Sequence, residues 1–189
     1  WRREENRGTE LRGKTIGVIG FGNMGAAFAQ RLQGFGMTIL AYDPYIKIDA
    51  EHYPFVKQCP KEQIFMESDI ISLHVPLTDE TKYLVNDSWI QKFRKNIYLI
   101  NTARGKNIET TALVKGLKSG KITGAALDVL EYEALSFEQI DSSQLPEAFQ
   151  YLIQSENVVL SPHIAGWTHE SNIKIAQTLA FKMLEVLKT

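Results

Sequence analysis

Residues 15–43 read TIGVIGFGNMGAAFAQRLQGFGMTILAYD, and no other stretch limits the fold as tightly. A β-branched run from Thr15 to Ile19 leads into Gly20-Phe21-Gly22-Asn23-Met24-Gly25. A helical pattern from about Met24 to Gly34 follows, then a second apolar run from Met37 to Ala41, then Asp43. Strand, glycine turn, helix, strand and acid in this order predict one βαβ unit shaped for a dinucleotide. Gly20 lets the chain turn sharply, Gly22 lets backbone approach a pyrophosphate, and Gly25 allows close packing of the helix. The N-terminus of that helix offers unpaired N–H groups and a partial positive charge, which suit phosphate. Asp43 lies 18 residues past Gly25 (43 − 25). A carboxylate there can accept from both ribose hydroxyls and would repel a 2′-phosphate, which favours NAD over NADP.

Further apolar runs recur at 69–73, 96–100, 122–127 and 157–160, with helical patterns between most of them. Ile97-Tyr98-Leu99-Ile100 and Ala125-Ala126-Leu127 are nearly continuous in apolar residues, as expected of strands covered on both faces. Alternating β and α units predict an α/β fold with a doubly wound parallel sheet of the Rossmann type. The first helix places Ala27, Phe28, Arg31 and Leu32 at helical spacing, and Gly34 or Gly36 ends it. Pro44 to Cys59 reads as loop or irregular helix, and Pro60-Lys61-Glu62-Gln63 begins a short helix. Thr110–Ser119 reads as a helix with Leu113, Val114 and Leu117 inward, stopped by Gly120. A C-terminal helix over 168–187 carries Ile173, Ala176, Leu179, Ala180, Met183, Leu184 and Leu187 on one stripe, expected to face a core.

The 189 residues suffice for a single domain over 1–189, with 1–12 as an N-terminal connecting segment. Residues 131–156 form the least regular part, a long insert suited to a site rim or an oligomer contact. A net charge of −1 supplies no basic field for nucleic acid and no polybasic membrane patch. The lone Cys59 excludes an internal disulfide and a cysteine-rich metal site, and no metal is expected. No apolar run approaches a membrane span, and WRREENRGTE lacks a signal-peptide core, so a cytoplasmic protein is expected. The opening on Trp1 and the stop after a long helical pattern suggest a piece of a longer polypeptide.

Ligands of an open parallel sheet bind beyond the carboxyl ends of its strands. Four runs end in polar groups there: Ser72-Leu73 before His74-Val75-Pro76, Ile100 before Asn101-Thr102-Ala103-Arg104, Leu127 before Asp128 with Glu131 and Glu133 beyond, and Leu160 before Ser161-Pro162-His163. One arginine, several acids and one histidine thus converge on the edge that bears the glycine turn. His163 could take a proton near neutral pH, an acid could hold its far ring nitrogen, and Arg104 offers a planar fork to a carboxylate or carbonyl.

The segments GKTIGVIGFGNMG, HVPLT, NTARG, GAALDVLEYE and SPHIAGWT together resemble the coenzyme domain of the D-isomer-specific 2-hydroxyacid dehydrogenases. They span about Gly13 to Thr168. The resemblance implies Arg104, Glu133 and His163 as catalytic residues. It implies NAD held by Gly20, Gly22, Asn23, Met24, Gly25 and Asp43, with His74, Val75, Pro76, Thr102, Ala103, Asp128, His163 and Gly166 along its other parts. The family usually has Pro after the catalytic Glu, whereas Ala134 follows Glu133 here, and 30 residues (163 − 133) separate Glu133 from His163. Glu131 is the competing acid. The expected activity is hydride transfer between a 2-hydroxy acid and NAD, with 3-phosphoglycerate the first-choice substrate and glycerate, lactate and glyoxylate types open. The family's substrate domain is absent from this chain, so the chain is expected to bind NAD(H) and turn over poorly alone. A homodimer through this domain is implied as well. A non-catalytic NAD(H)-sensing module, corepressor-like, is the alternative.

Overall fold

The computed structural model describes residues 3–4, 7–133 and 146–187. Parts of the connecting segment 1–12 and the centre of the insert 131–156, including Ala134, lie outside them. Strands β1 (Thr15–Ile19), β2 (Thr38–Tyr42), β3 (Val56–Gln58), β4 (Ile70–Leu73), β5 (Ile97–Asn101), β6 (Ile122–Leu127) and β7 (Val158–Leu160) form one parallel sheet in the order β3-β2-β1-β4-β5-β6-β7. The order reverses between β1 and β4, which opens a crevice at their carboxyl ends. Helices α1 (Asn23–Arg31), α2 (Lys61–Glu67), α3 (Asp87–Ile90), α4 (Thr110–Lys118), α5 (Glu147–Gln154) and α6 (His169–Leu187), with 3₁₀ turns at Gln33–Phe35 and Gly105–Asn107, complete the described elements.

Strand alternation sends side chains to two hydrophobic clusters, one per face. Ile16, Val18, Ile39 and Ala41 pack with Ala29 and Leu32 of the α1 region on one side. Leu40, Ile71, Leu73, Leu99, Ile122 and Leu127 pack with Ile64 of α2, Trp89 and Ile90 of α3, Leu113 of α4, and Phe149 and Leu152 of α5 on the other. Full burial of each such side chain contributes about 1.5–3 kcal/mol relative to exposure. Gly36, at φ +66, ends the turn after α1, and Gly120, at φ +75, follows α4. Both are left-handed positions that favour glycine.

Several expectations change. Val56–Gln58 is a strand where loop or irregular helix was expected; as a three-residue edge strand it carries little apolar signal. Glu147–Gln154 is a regular helix inside the segment expected to be irregular, with Phe149 and Leu152 buried. The buried face of α1 is Gly25 and Ala29, while Ala27 and Arg31 are exposed. Coverage of the sheet is one-sided at β5–β7: Tyr98 and Val159 are 40% and 68% exposed, because no described helix lies over them. The largest correction concerns α6, of which no residue is buried. Its apolar stripe is real, but periodicity specifies a face to be covered and not what covers it. No helix among the described residues is long and apolar enough to cross a membrane.

Candidate functional site

The glycine turn folds as its spacing predicts. Gly20 sits at φ +90, and a Cβ there would stand 2.6 Å from the His74 carbonyl oxygen. A Cβ on Gly25 would come within 2.1 Å of the Gly20 carbonyl oxygen, so the turn and the first helical turn interlock only as glycines. Gly22 faces open space and is the N-cap of α1, with no side chain capping it. The first helical bond runs from Ala26 N–H to Gly22 C=O at 2.9 Å, so the amides of Asn23, Met24 and Gly25 precede the intrahelical ladder. An anion fits this cradle, with backbone donors ahead and no Cβ in the way.

Beside the turn lies a cavity of about 750 Å³ lined by Gly20, Gly22, Asp43, Tyr45, His74, Val75 and Pro76, among others. Asp43 follows β2 and already serves the backbone. Phe21 N–H donates to its Oδ2 at 2.8 Å, and the Tyr45 and Ile46 amides donate to its Oδ1 at 2.9 and 3.0 Å. Oδ2 keeps acceptor capacity for a hydroxyl, because each carboxylate oxygen takes two donors. Asp79 and Glu80 also line the cavity, against one cation, Lys61, so a further phosphate is disfavoured there. The Tyr45 hydroxyl donates to Glu80 between two lining segments. Ser72 Oγ and His74 Nε2 lie 2.9 Å apart, and the Phe28 ring sits 4.8 Å from the imidazole. Burial pushes the His74 pKa down to about 4, so this ring stays neutral at neutral pH.

At the end of β5, Thr102 and Arg104 are exposed and Ala103 is buried. The Arg104 Nη1 donates to the Ala103 carbonyl at 2.6 Å. Gly105 brings this turn against the chain leaving β6. A Cβ there would meet the Leu130 carbonyl oxygen at 1.9 Å. That contact packs the Arg104 turn against the segment carrying both candidate acids.

The two acids separate cleanly. Glu131 Oε2 accepts the Thr110 N–H at the start of α4 at 2.9 Å, and its Oε1 accepts the Tyr83 hydroxyl at 2.8 Å. It is a helix-terminus anchor, favoured by the positive end of the dipole. Glu133 Oε2 instead accepts from His163 Nδ1 at 2.9 Å, and its Oε1 accepts the Leu130 N–H. The bond fixes Nδ1 as the protonated nitrogen and makes Nε2 the lone-pair nitrogen of the neutral ring. His163 is held at φ +54, a strained position for a side-chain-bearing residue, by its N–H donating to the Asp128 carbonyl at 2.8 Å.

Asp128, expected along the cofactor, also collects three donors from its own chain. Its Oδ1 accepts the Ser161 hydroxyl at 2.6 Å and the Ile164 amide at 2.9 Å, and Oδ2 accepts the Ala165 amide at 2.9 Å. Burial alone would raise its pKa. Those three donors and the nearby His163 outweigh burial and hold it below the ordinary carboxylate value. Asp128 thus binds the Ser161–Ala165 turn to β6 and sets His163 in place, and Gly166 lies exposed just beyond. Among the described residues no three His, Cys, Asp or Glu side chains are grouped to hold a metal. The sequence reading missed Asn107, a buried asparagine behind Arg104. Its neighbours Arg104, Lys106 and Glu109 are charged, so nothing in the local pattern marks it as buried.

The glycine turn with its helix-start amides, the Asp43 carboxylate, the Arg104 turn and the His163–Glu133 pair therefore all follow the carboxyl ends of strands in one sheet. The chain matches the D-isomer specific 2-hydroxyacid dehydrogenase, NAD binding domain, over residues 1–165, and it belongs to that family. It is similar to a glyoxylate reductase of Thermofilum pendens, 44% identical over 182 residues that cover 96% of this chain and 50% of that protein. A D-3-phosphoglycerate dehydrogenase of Bacillus subtilis is 36% identical over 188 residues, covering all of this chain and 34% of that protein. Among solved structures, the NAD-complexed D-isomer specific 2-hydroxyacid dehydrogenase of Lactobacillus delbrueckii ssp. bulgaricus matches at TM-score 0.87 and 33% identity, covering 100% of this chain and 56% of that one. The family, the Rossmann-type sheet and NAD as cofactor agree with the sequence expectation. The chain spans about half the length of most of the curated relatives it matches.

Proposed function

We propose that the protein carrying this domain interconverts a small 2-hydroxy acid and its 2-oxo acid with NAD. The observation that carries this reading is the 2.9 Å His163–Glu133 contact on the edge that holds the Arg104 turn and the glycine cradle. NAD bound at the cradle supplies the hydride acceptor. The residues of the chain supply orientation and proton handling. Arg104 takes the acid's carboxylate or polarises its carbonyl through paired N–H donors. His163 removes the hydroxyl proton through Nε2 in oxidation and returns it in reduction. Glu133 holds the Nδ1 proton and stabilises the imidazolium as it forms.

For the substrate, a short unphosphorylated oxo acid such as glyoxylate is the reading we favour. It is supported by greater identity to a glyoxylate reductase, 44%, than to a phosphoglycerate dehydrogenase, 36%. The phosphorylated acid expected first from sequence is the competitor. Two copies pairing through this domain belong to the same reading, supported by the bare apolar stripe of α6; sedimentation of the protein as a monomer would count against it. The central test is NADH-linked reduction of glyoxylate, hydroxypyruvate and 3-phosphohydroxypyruvate by the intact protein. His163→Ala and Arg104→Ala are each expected to lower kcat/KM by about 10²–10⁴-fold, the range for a general acid–base or charge-binding group. Turnover that survives both changes would remove them from the mechanism and favour an NAD(H)-sensing module.

A further inference from the structure

Two asparagines without exposed surface lie beneath the Arg104 turn. Asn101 closes β5, and its side chain serves the turn locally. Its Oδ1 accepts the Ala103 amide at 3.0 Å, and its Nδ2 donates to the Arg104 carbonyl at 3.0 Å. Asn107 does something different. Its Oδ1 accepts the Arg104 amide at 3.1 Å. Its Nδ2 donates to the Thr81 carbonyl at 3.1 Å and to the Pro76 carbonyl at 3.5 Å. Pro76 and Thr81 both line the cavity beside the glycine turn. One buried amide therefore joins the peptide that carries Arg104 to the loop that walls the cavity.

The energetics favour a purpose for that amide. Burying an amide side chain is costly unless its donors and acceptor are matched. Asn107 matches both donors and its acceptor, and its neighbours Val85 and Ile108 are apolar and buried. An apolar residue of similar size would fill the slot without that requirement. It would leave the Arg104 amide and the Thr81 carbonyl without these partners. The backbone already stitches the two segments loosely, through Tyr83 N–H to Lys106 C=O at 2.8 Å and Val85 N–H to Asn107 C=O at 3.0 Å. Those bonds fix proximity. The side chain fixes register, because it grips the arginine's own peptide.

We propose that Asn107 is a positioning residue that holds Arg104 in register with the cavity loop Pro76–Thr81, so that an acid gripped by Arg104 meets the cofactor at the right distance. The proposal rests on the Arg104 role given above. Asn107 itself touches no substrate; it acts through the arginine.

The test is a double-mutant cycle in the intact protein, with NADH-linked reduction of glyoxylate as readout. Asn107→Leu in the wild-type background is expected to lower kcat/KM by about 10–100-fold, the scale of a small misplacement of a binding group. In an Arg104→Ala background the same change is expected to cost less than about twofold, because the group it positions is gone. A loss that multiplies equally in both backgrounds marks a general packing lesion and overturns the proposal. So does wild-type turnover in Asn107→Leu beside a disabled Arg104→Ala. Full activity in Arg104→Ala would instead overturn the role of Arg104, and this inference with it. Should Asn107→Leu fail to fold, Asn107→Asp keeps the acceptor for Arg104 and sets a carboxylate against the Thr81 and Pro76 carbonyls. It is expected to lose about tenfold, again only when Arg104 is present, and wild-type rates there overturn the proposal.

Discussion

Asp43 and Asp128 occupy comparable places, each just past the carboxyl end of a strand, and each collects three donors. Their partners differ in reach. Asp43 holds two amides within three residues of itself and one, Phe21, across the neighbouring strand. Asp128 holds donors 33 to 37 residues further along the chain. Asp43 is half-buried on a cavity wall; Asp128 is 5% exposed. The cofactor end of the site is thus made by local geometry, glycines and a short turn. The His163 end is made by a long-range fastener, which adds to the Glu133 contact and the backbone bond that also hold His163. A local device survives small changes elsewhere, whereas a long-range one fails as a unit.

Asp128→Ala should be the most damaging change. It removes the charged acceptor of the half-buried Ser161 hydroxyl and of the amides of the exposed Ile164 and Ala165, at about 1.5 kcal/mol per bond to a charged group, for a total of about 4 kcal/mol. Denaturant unfolding should report that loss, with the His163–Glu133 contact gone in the NMR spectrum of the imidazole while NAD still binds. Unchanged stability in Asp128→Ala would show that the two acids do not differ in kind.

Acid should separate the two ends next. The neutral His74, with its pKa lowered from 6.5 to about 4, binds fewer protons folded than unfolded across that interval. Stability is therefore whole above about 6.5, declines as the pH falls, and has lost this contribution near 4. The full difference is about 3 kcal/mol. Asp128, with its pKa lowered, contributes stability above the ordinary carboxylate value of 3.8 that disappears only as pH falls below it. Hydrogen exchange should show the glycine turn and His74 loop loosening first, and the Ser161–Ala165 turn only in stronger acid. A His74→Asn variant should flatten the upper part of that profile; simultaneous loosening of both ends would refute the order.

The same contrast explains what the sequence could disclose. The Gly20–Gly25 turn and the strands around it were legible because glycine positions and β-branched runs act over a few residues. Only the family resemblance pointed to Glu133 over Glu131; the residues themselves left both open, because the pairing depends on where the first turn of α4 comes to rest. Thr110 claims Glu131 and leaves Glu133 for His163. Asp128 was placed at its strand end, but its bonds to the Ser161–Ala165 turn were not legible, since those donors lie a whole insert away. The periodicity of α5 was readable in Phe149 and Leu152, but the surrounding polar residues hid it. For α6 the stripe was read correctly and its burial was not.

The smallest expected effect lies at Asp43. Its three amide bonds hold the β2 turn, so its removal changes the wall as well as the acid proposed to meet the ribose. Asp43→Ser retains a short acceptor for part of that turn and removes the charge. It should reduce the preference for NAD over NADP by about 1–2 kcal/mol, the scale of one unmatched polar contact. Asp79 and Glu80 remain on the wall to oppose a 2′-phosphate, which is why the preference should shrink rather than invert. Calorimetric titration of both nucleotides into the two proteins measures this directly. If the wild-type protein binds NADP as well as NAD, Asp43 is only a turn former, and the cofactor end of the site is more purely backbone than its carboxylate suggests.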